Sequence, residues 1–340
     1  MGDEPGAERS RAGRSVGVRD VAALAGVSPQ TVSRVINEHP SVREETRQRV
    51  QHAMLSLGYR INNAARTLGT RRTRTLGVIA SNAALFGPSA GVVALESAAR
   101  AVGRWVTASY ADAADQASVE ASVEHLLAQG VDGIIVVAPR LESVSSMAAR
   151  HPSLRVGALP SAEGARAQAA GAGLAVGHLV ELGHTRIARV GGPGDWLEEV
   201  ARRRGFADAL ASAGLSAPVS EAAGSWSGDW SAASGAALAP EIAAAVRADG
   251  GPTALAVAND QMALGLISGL ATEGIRVPDD LSIVGFDDNT DAEFYRPALT
   301  TVRIDVDGDA RCSVADVLGL EATGDIAQST LVVRGSTASV

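Results

Sequence analysis

Strand and helix patterns alternate through most of the chain, from Leu76 to Thr337, and this alternation strongly restricts the possible folds. Short apolar runs such as GIIVVAP and LSIVGFD are typical of buried strands, and stretches with helical spacing of apolar residues separate them. Strands and helices that alternate in this way form parallel sheets with helices on both faces. Because the strands are too many for one modest sheet, we expect an α/β core of two doubly wound parallel-sheet subdomains.

The expected cleft between these subdomains locates a candidate ligand site. Ligands of doubly wound sheets bind beyond the carboxyl ends of the strands. The segments that follow predicted strands there are Ala80–Pro88, Pro139, Gly192–Leu197, Asn259–Asp260 and Asp287–Asn289.

A different pattern precedes the core, at Val18–Asn37. Apolar residues recur there with helical spacing in two short segments. They are Val21, Leu24 and Ala25, then Val32, Val35 and Ile36. We expect Gly26 to end the first helix, Ser28 to cap the second and Pro29 to occupy its first turn. Two small helices around such a turn form a helix-turn-helix, which places its second helix in the DNA major groove.

The distribution of charge supports a DNA-facing end. Residues 1–75 contain 13 Arg and 7 acidic residues, and the rest contains 17 Arg and 31 acidic residues, so a segment of net charge +6 precedes one of −14. A basic end suits the phosphates of double-stranded DNA. We predict a disordered tail at 1–17, an all-α DNA-binding domain at 18–62 and, at 63–75, a polar linker with one short helical segment.

Several classes of protein are excluded or disfavoured by the sequence. Cys312 is the only cysteine, which excludes a disulfide framework and a cysteine-based zinc site. The six histidines lack the spacing of metal ligands, so we expect no metal and no cofactor. The polar first 17 residues do not read as a signal peptide, and no run reads as a membrane span. We therefore expect a cytoplasmic protein without a membrane partner.

Two other functions can be weighed against DNA binding. The segment Gly87–Gly91 (GPSAG) matches the nucleophile elbow of hydrolases, but the last histidine is His184 and that triad needs a histidine late in the chain. A hydrolase is therefore a remote alternative, and we expect Ser89 to cap a helix instead. A periplasmic sugar-binding protein would suit the core but would not account for the DNA-binding pattern.

Longer stretches of the sequence carry a family resemblance that covers nearly all of Val18–Thr337. They are DVAALAGVSPQTVSRVIN, SLGYRINNAARTLG, HLLAQGVDGIIVVAP, HLVELGHTRIARVGGP, ALAVANDQMALG, VPDDLSIVGFDD and FYRPALTTV. Together they resemble the LacI-type (lactose/galactose repressor) family of bacterial transcription regulators. The segments SPQTVSRV, LFGPS, GDWSAASG and VANDQMALG look especially like the lactose-repressor type.

This resemblance implies a homodimer in which each subunit has a DNA-binding head, a hinge helix and a core like a periplasmic sugar-binding protein. The core at 76–337 would contain an N-subdomain and a C-subdomain. Their expected bounds are about 76–172 with 303–325, and about 173–302 with 326–337.

The resemblance also implies which residues contact DNA. Base edges would be read by Pro29, Gln30 and Arg34. Phosphates and sugars would be held by Ser28, Ser33, Asn37, Thr46 and Tyr59. The hinge would contribute Asn62, Ala65 and Leu68, with Leu68 as an apolar wedge in the minor groove. The lactose-repressor type has an aromatic residue at the position of Pro29, so we expect a different operator sequence here.

Effector-binding residues are implied in the same way. They are Ser81, Leu85, Pro88, Arg202, Trp230, Asn259 and Asp287. Polar groups beside a tryptophan suit a sugar. For Arg202 a solvated charge cluster is the alternative, for Asn259 and Asp287 helix capping, and for Trp230 its neighbour Trp226. The lactose-repressor type has Asp, Gln and Phe in the pocket where this chain has Pro160, Ile304 and Val306, so the sugar itself is not specified.

The expected function is that of a transcriptional repressor. As a dimer it would bind a palindromic operator and be released by a small sugar effector. An activator, or a regulator that needs a corepressor, is the alternative.

Overall fold

The structure is a computed structural model that describes residues 16–37, 39–59, 73–215, 225–322 and 324–340. The chain divides into two compact units, Met1–Thr73 and Arg74–Val340, which we name the head and the core. The predicted tail up to residue 15 and the predicted hinge at 63–72 lie outside the described residues.

The described part of the head contains helices α1 (Val18–Ala25), α2 (Pro29–Ile36) and α3 (Glu44–Ser56). They enclose a small apolar cluster of Val21, Ala22, Ala25, Val32, Val35, Val50 and Ala53. The predicted apolar stripes are confirmed except at Leu24, whose side chain is exposed, while Ala22 faces the cluster. The smaller residue is buried because three short helices pack closely.

The core alternates strands and helices, as predicted. Its strands are β1 (Thr75–Ala80), β2 (Trp105–Tyr110), β3 (Gly133–Val137), β4 (Val156–Leu159), β5 (Ile187–Gly191), β6 (Ser225–Ser227), β7 (Ala254–Val257), β8 (Ser282–Phe286), β9 (Thr300–Arg303) and β10 (Thr330–Val332). Its α-helices are α4 (Phe86–Ala101), α5 (Gln116–Ala128), α6 (Leu141–Arg150), α7 (Ala162–Glu181), α8 (Leu197–Ser212), α9 (Ala232–Ala237), α10 (Ala239–Arg247), α11 (Asp260–Thr272) and α12 (Val306–Leu318).

The strands form two sheets, one for each lobe of the core. The first has the order β2-β1-β3-β4 and is parallel throughout. The second has the order β10-β9-β8-β7-β5-β6, in which β10 alone runs antiparallel to its neighbour. The predicted fold class is confirmed, with the antiparallel edge strand as an addition.

Two helices show where the chain crosses between the lobes. Helix α12 lies C-terminal to the second sheet's β9 but packs on the first sheet, through Ala310, Val314 and Val317. Helix α7 packs on the second sheet as one continuous helix, so the boundary expected at residues 172 and 173 falls inside it. We place the first crossing at the β4–α7 turn instead.

Three helix predictions differ from the structure. Helix α4 begins at Phe86 rather than Ser89, so the capping role expected of Ser89 is wrong. The sequence pattern predicts a helix only at Gly171–Leu182, whereas α7 begins nine residues before Gly171. The pattern also predicts a single helix at Ser231–Arg247, but the segment forms two helices, because Pro240 lacks the backbone N–H that would continue the first one. None of the described helices combines the length and apolar character needed to cross a membrane.

Helices α7 and α8 approach closely at Gly205, and this contact yields a stability prediction. A Cβ atom at Gly205 would lie 2.0 Å from the Ala169 carbonyl oxygen. We expect Gly205→Ala to lower the free energy of unfolding by about 1–3 kcal/mol, because the helix backbones must separate. Gly177→Ala on α7 is the matched control, since a Cβ there meets no atom within 4 Å. Urea unfolding of both variants checks the prediction, and equal stabilities would contradict it.

Candidate functional site

Helix α2 begins with the local structure that its sequence predicts. The Ser28 Oγ accepts a hydrogen bond from the Thr31 backbone N–H at 3.1 Å, and Pro29 follows in the first turn. Gly26, with φ of 65°, ends α1 in the left-handed region that favours glycine. The predicted turn between the two helices is therefore confirmed.

Helix α2 has one buried face and one polar, exposed face. Val32 and Val35 are buried in the head cluster. Gln30, Ser33 and Arg34 occur at i, i+3 and i+4 and are exposed together. This exposed face carries donors and acceptors that suit base edges and phosphates.

The remaining predicted DNA-contact residues lie around α2. Asn37 caps its C-terminus, and its Nδ2 donates to the Ser33 Oγ at 3.4 Å. Thr46 lies in the first turns of α3 and is half-buried. Tyr59 follows α3 and packs against the head cluster. Asn62, Ala65 and Leu68 lie outside the described residues.

The core contains a cavity of about 80 Å³ between its lobes, beyond the carboxyl ends of the strands, as predicted. Both lobes line it, through Leu85, Phe86, Gly87, Pro88, Val137, Ala138, Leu159, Pro160, Gln168, Trp196, Glu198, Arg202, Trp230, Asn259, Asp287, Ile304, Val306 and Asp309. Six of the seven residues predicted to bind an effector are among them. The three departures, Pro160, Ile304 and Val306, also line it and make it apolar there.

A second chamber, of about 640 Å³, adjoins the first and shares Leu85 and Trp196 with it. We name the two the inner and the outer chamber. Ser81, the seventh predicted residue, lines the outer chamber and not the inner one, and its buried Oγ has no hydrogen-bond partner among the residues that the structure describes.

Arg202 is buried in the wall of the inner chamber, and each of its three guanidinium nitrogens donates a hydrogen bond. Its Nε donates to the Gln168 Oε1 at 2.7 Å, and one terminal nitrogen donates to the Asp287 Oδ1 at 2.9 Å. The other donates to the Ala258 carbonyl oxygen. The guanidinium also stacks on the Phe286 ring, 3.9 Å from its centroid. The alternative of a solvated charge cluster is wrong for Arg202.

Asn259 and Trp230 are joined by a hydrogen bond in the chamber wall. The Asn259 Oδ1 accepts from the Met262 N–H at 2.9 Å and so caps α11, which is the capping alternative. Its Nδ2 donates to the Trp230 carbonyl oxygen at 3.0 Å and holds Trp230, whose φ is 75°. The Trp230 Nε1 is buried without a partner. Trp226, the alternative stacking residue, is buried in strand β6 among core residues.

Two acidic residues that the sequence reasoning missed also face the inner chamber. The buried Oε2 of Glu198 has no hydrogen-bond partner in the described ranges, and burial raises the pKa of its carboxyl to about 8. The Asp309 Oδ1 accepts from the Ser161 N–H at 2.9 Å, and burial raises its pKa to about 6. The i, i+4 spacing of Glu198 and Arg202 was the available signal that both share one helix face.

A cross-lobe bridge closes one side of the chambers. The Leu141 N–H donates to the Asp195 carbonyl oxygen at 2.8 Å, and the Leu197 N–H donates to the Pro139 carbonyl oxygen at 3.1 Å. The Arg140 and Asp195 side chains add an ion pair between the same two segments. The bridge therefore joins the end of β3 in one lobe to the end of β5 in the other.

The segment matching a nucleophile elbow has a different geometry from that motif. Gly87–Gly91 lies within helix α4, whereas the motif needs a sharp strand-to-helix turn with an exposed hydroxyl. The Ser89 Oγ instead donates to the Ala83 carbonyl oxygen at 2.6 Å, which ties the preceding loop to the helix.

The fold brings together three side chains that could bind a metal, two glutamates and a histidine, and their spacing in the sequence did not indicate this. Potential ligand atoms of Glu120, Glu124 and His151 lie within 4.8 Å of one another. The Glu120 carboxylate contacts the Arg150 guanidinium at 2.6 Å and the His151 Nε2 at 3.1 Å. Arg150 and His151 therefore engage the Glu120 carboxylate.

The helix-turn-helix head and the two-lobed core with an interlobe cavity together define a DNA-binding transcriptional regulator with a periplasmic-binding-protein-like core. Two family profiles match: bacterial regulatory proteins of the lacI family over residues 18–62, and the periplasmic binding protein-like domain over residues 176–337. The chain belongs to the LacI family.

Its relatives in this family are transcriptional regulators. The lactose operon repressor of Escherichia coli (strain K12) is 36% identical over 300 residues, which cover 86% of this chain and 81% of the relative. A structure of the lac repressor dimer bound to operator and the anti-inducer ONPF has a TM-score of 0.72 and 34% identity, and the match covers 96% of this chain and 100% of that one. A complex of the regulator CelR with cellobiose has a TM-score of 0.65 and 27% identity, covering 95% and 100%.

Proposed function

We propose that this protein is a dimeric repressor that acts on DNA in the cytoplasm. The head binds a palindromic operator, and a small sugar effector bound in the core releases it. The lac repressor structure describes a dimer bound to operator, and the CelR structure contains a sugar, cellobiose. Both similarities extend over nearly the whole chain.

The observation that carries this proposal is the exposed face of α2. Glutamine pairs with adenine and arginine with guanine through two hydrogen bonds each, so Gln30 and Arg34 supply base-reading chemistry. Ser33 lies between them and suits a phosphate contact. Pro29, which is also exposed, has no side-chain donor, so the base nearest to it is read by contact alone.

The inner chamber supports an effector role for Leu85, Pro88, Arg202, Trp230 and Asn259. Trp230 offers a flat apolar face to ring C–H groups. Arg202 also orders the chamber wall, since each of its guanidinium nitrogens donates a hydrogen bond, to Gln168, Ala258 or Asp287. Ser81 contributes its free hydroxyl to the outer chamber.

Effector binding is coupled to DNA through closure of the lobes. The cross-lobe bridge and the shared chamber walls both change when the lobes move. An effector that binds one degree of closure more tightly shifts the equilibrium by its differential affinity. The hinge predicted at 63–75, with Leu68 as its wedge, transmits this shift to the operator in our proposal.

The direct test is a gel-shift titration with DNA from upstream of the chain's own gene, repeated with a panel of sugars. We expect one sugar to lower operator affinity at least tenfold. A sugar that raises the affinity would indicate a corepressor. If neither this DNA nor sites selected from random DNA bind specifically, the proposed function is wrong.

The face of α2 also yields a specificity prediction. We expect Arg34→Ala to weaken operator binding by about 1–3 kcal/mol and to weaken binding to scrambled DNA much less, because base contacts are lost only at the operator. Arg49→Ala is the matched control, since Arg49 is exposed on α3 and its removal changes the net charge equally. Gel shifts at one fixed salt concentration compare the two. If both variants lost the same binding affinity for the operator and for the scrambled DNA, Arg34 would not read a base.

A further inference from the structure

The inner chamber contains more acidic than basic groups that are free to meet a ligand. Arg202 is its cationic lining residue, and each of its three guanidinium nitrogens donates a hydrogen bond within the protein, to Gln168, Ala258 or Asp287. The Asn259 amide oxygen accepts from Met262, and its nitrogen donates to Trp230. The acceptors that remain for the donors of a ligand therefore belong to other residues.

Those free groups are two carboxyls and one indole. Among the described residues, the buried Glu198 Oε2 has no hydrogen-bond partner. Asp309 has one oxygen bound to the Ser161 N–H and also lines the chamber. Trp230 is 6% exposed, and its Nε1 donor has no partner in the described part of the chain. Carboxyl groups that accept hydrogen bonds once they ionise, beside one donor, favour a ligand group that is rich in N–H donors.

Aromatic rings face the same space. Trp196 and Trp230 both line the inner chamber, with ring centroids 6.0 Å apart and planes tilted by 59°. Indole faces attract cations through their quadrupole, and the attraction grows when the site is desolvated. An acidic chamber with tryptophan walls therefore suits an ammonium better than a hydroxyl.

We propose that the effector is an amino sugar, whose protonated amine binds in the inner chamber between Glu198, Asp309 and the two tryptophans. This inference rests on the proposed function and deepens it. Burial keeps the Glu198 carboxyl protonated at neutral pH, and an ammonium supplies the counter-charge with which it can ionise, since a buried charge is stable only when it is paired.

The outer chamber accommodates the rest of such a ligand. The inner chamber, at about 80 Å³, is smaller than the roughly 150 Å³ cavities that hold benzene, so a sugar ring must extend beyond it. The outer chamber is about 640 Å³, and Asp112 and Asp229 on its lining are exposed. Their negative charge attracts a cation towards the entrance.

The test compares ligands that differ only in an amine. Isothermal titration of the full chain without DNA would measure D-glucosamine against D-glucose, and D-galactosamine against D-galactose, with the N-acetyl sugars as neutral controls. We expect at least one amine to bind tenfold or more tightly than its hydroxyl partner at pH 7. Tighter binding of the neutral partner in each pair, or no binding of any amine, would overturn the proposal.

Two variants separate a charge effect from a loss of folding. Glu198→Gln keeps the shape and removes the charge, so amine and hydroxyl should bind within about twofold of each other. Glu124→Gln, on an exposed residue of α5, should retain the full preference. Continued tenfold preference in Glu198→Gln would show that the ammonium does not meet Glu198.

The dependence of binding on pH provides an independent readout. Arg202, Asp287 and Asp309 are the charged groups that act on Glu198, whose pKa is about 8. Binding an ammonium ionises Glu198, so affinity for the amine should rise by about ninefold from pH 6 to pH 7. Affinity for a neutral sugar should stay constant over this range. An amine affinity that does not change with pH would contradict the proposed contact.

Failure of this inference is distinguishable from failure of the proposed function. If a neutral sugar binds and releases operator while amines do not bind, the repressor function stands and the amino-sugar inference fails. If an amine binds with the expected preference but leaves the operator complex unchanged, the inference stands and the proposed induction fails.

Discussion

Arg202→Ala is expected to lower the free energy of unfolding by about 3–5 kcal/mol, because it leaves the Asp287 carboxylate buried without its counter-charge. The pair is 2.9 Å apart, and both side chains are more than nine-tenths buried. The variant also removes the donors to Gln168 and Ala258, and the stacking on Phe286. Few single substitutions act through so many lost contacts.

Urea unfolding monitored by circular dichroism measures this loss. Arg203→Ala is the control, because Arg203 is the next residue of α8 and is exposed. It should change the free energy of unfolding by less than about 0.5 kcal/mol. Arg202→Lys should recover only part of the loss, since a lysine ammonium cannot reproduce the planar fork. If the Arg202→Ala variant had the same free energy of unfolding as the wild type, the hydrogen bonds and the ion pair of Arg202 would not stabilise the core.

The core should become less stable as the pH rises from about 5 to 8. Burial raises the pKa of Glu198 from 4.5 in its ordinary state to about 8, so the folded protein holds a proton that the unfolded chain releases. The stability from this protonation is complete below the unfolded pKa and is lost as the pH rises through the folded pKa. Asp260 and Asp309, with raised pKa values of about 8 and about 6, act in the same direction.

Glu198→Gln isolates the contribution of one carboxyl. The full shift corresponds to at most about 5 kcal/mol, and relaxation around the cavity reduces it. We expect the variant and wild type to unfold alike at pH 5, and the variant to be the more stable at pH 8. Melting temperatures at both pH values check this. A wild-type protein that gains stability towards pH 8 relative to Glu198→Gln would show that Glu198 is ionised when folded.

Much of the architecture could be predicted because local rules and tertiary packing agree there. In the head, Gly26 determines the turn through its left-handed backbone conformation, and Ser28 through its side-chain cap on the next helix. In the core, strands such as β3 and β8 are buried along their full length and so appear as continuous apolar runs.

The misses have a common physical origin in residues whose role depends on distant partners. Helix α7 begins in the segment AEGARAQAAGAG, where small residues hide the helical period because their packing depends on close approach. In the sequence, Glu198 and Asp309 have the features of ordinary exposed acidic residues. They line one cavity only because the two lobes bring them together. Ser81 directly follows β1, as expected for a ligand-site residue, but it lines the outer chamber. The path of the loop between β1 and α4 determines which chamber it reaches.

The cross-lobe bridge sets how sensitive the protein is to its effector. The Arg140 and Asp195 side chains are 38% and 43% exposed, so solvent screens their ion pair. Such an ion pair contributes only about 0–1 kcal/mol to the stability of the closed arrangement. Because this contribution is small, loss of the ion pair would change the free-energy difference between two degrees of lobe opening only slightly, and the two backbone hydrogen bonds of the bridge would remain. Under the proposed function, substitutions of Arg140 therefore change the effector concentration that gives half-maximal release of the operator. They do so without altering the residues that line the inner chamber. The same threshold should shift with salt, which links transcriptional output to the ionic state of the cell.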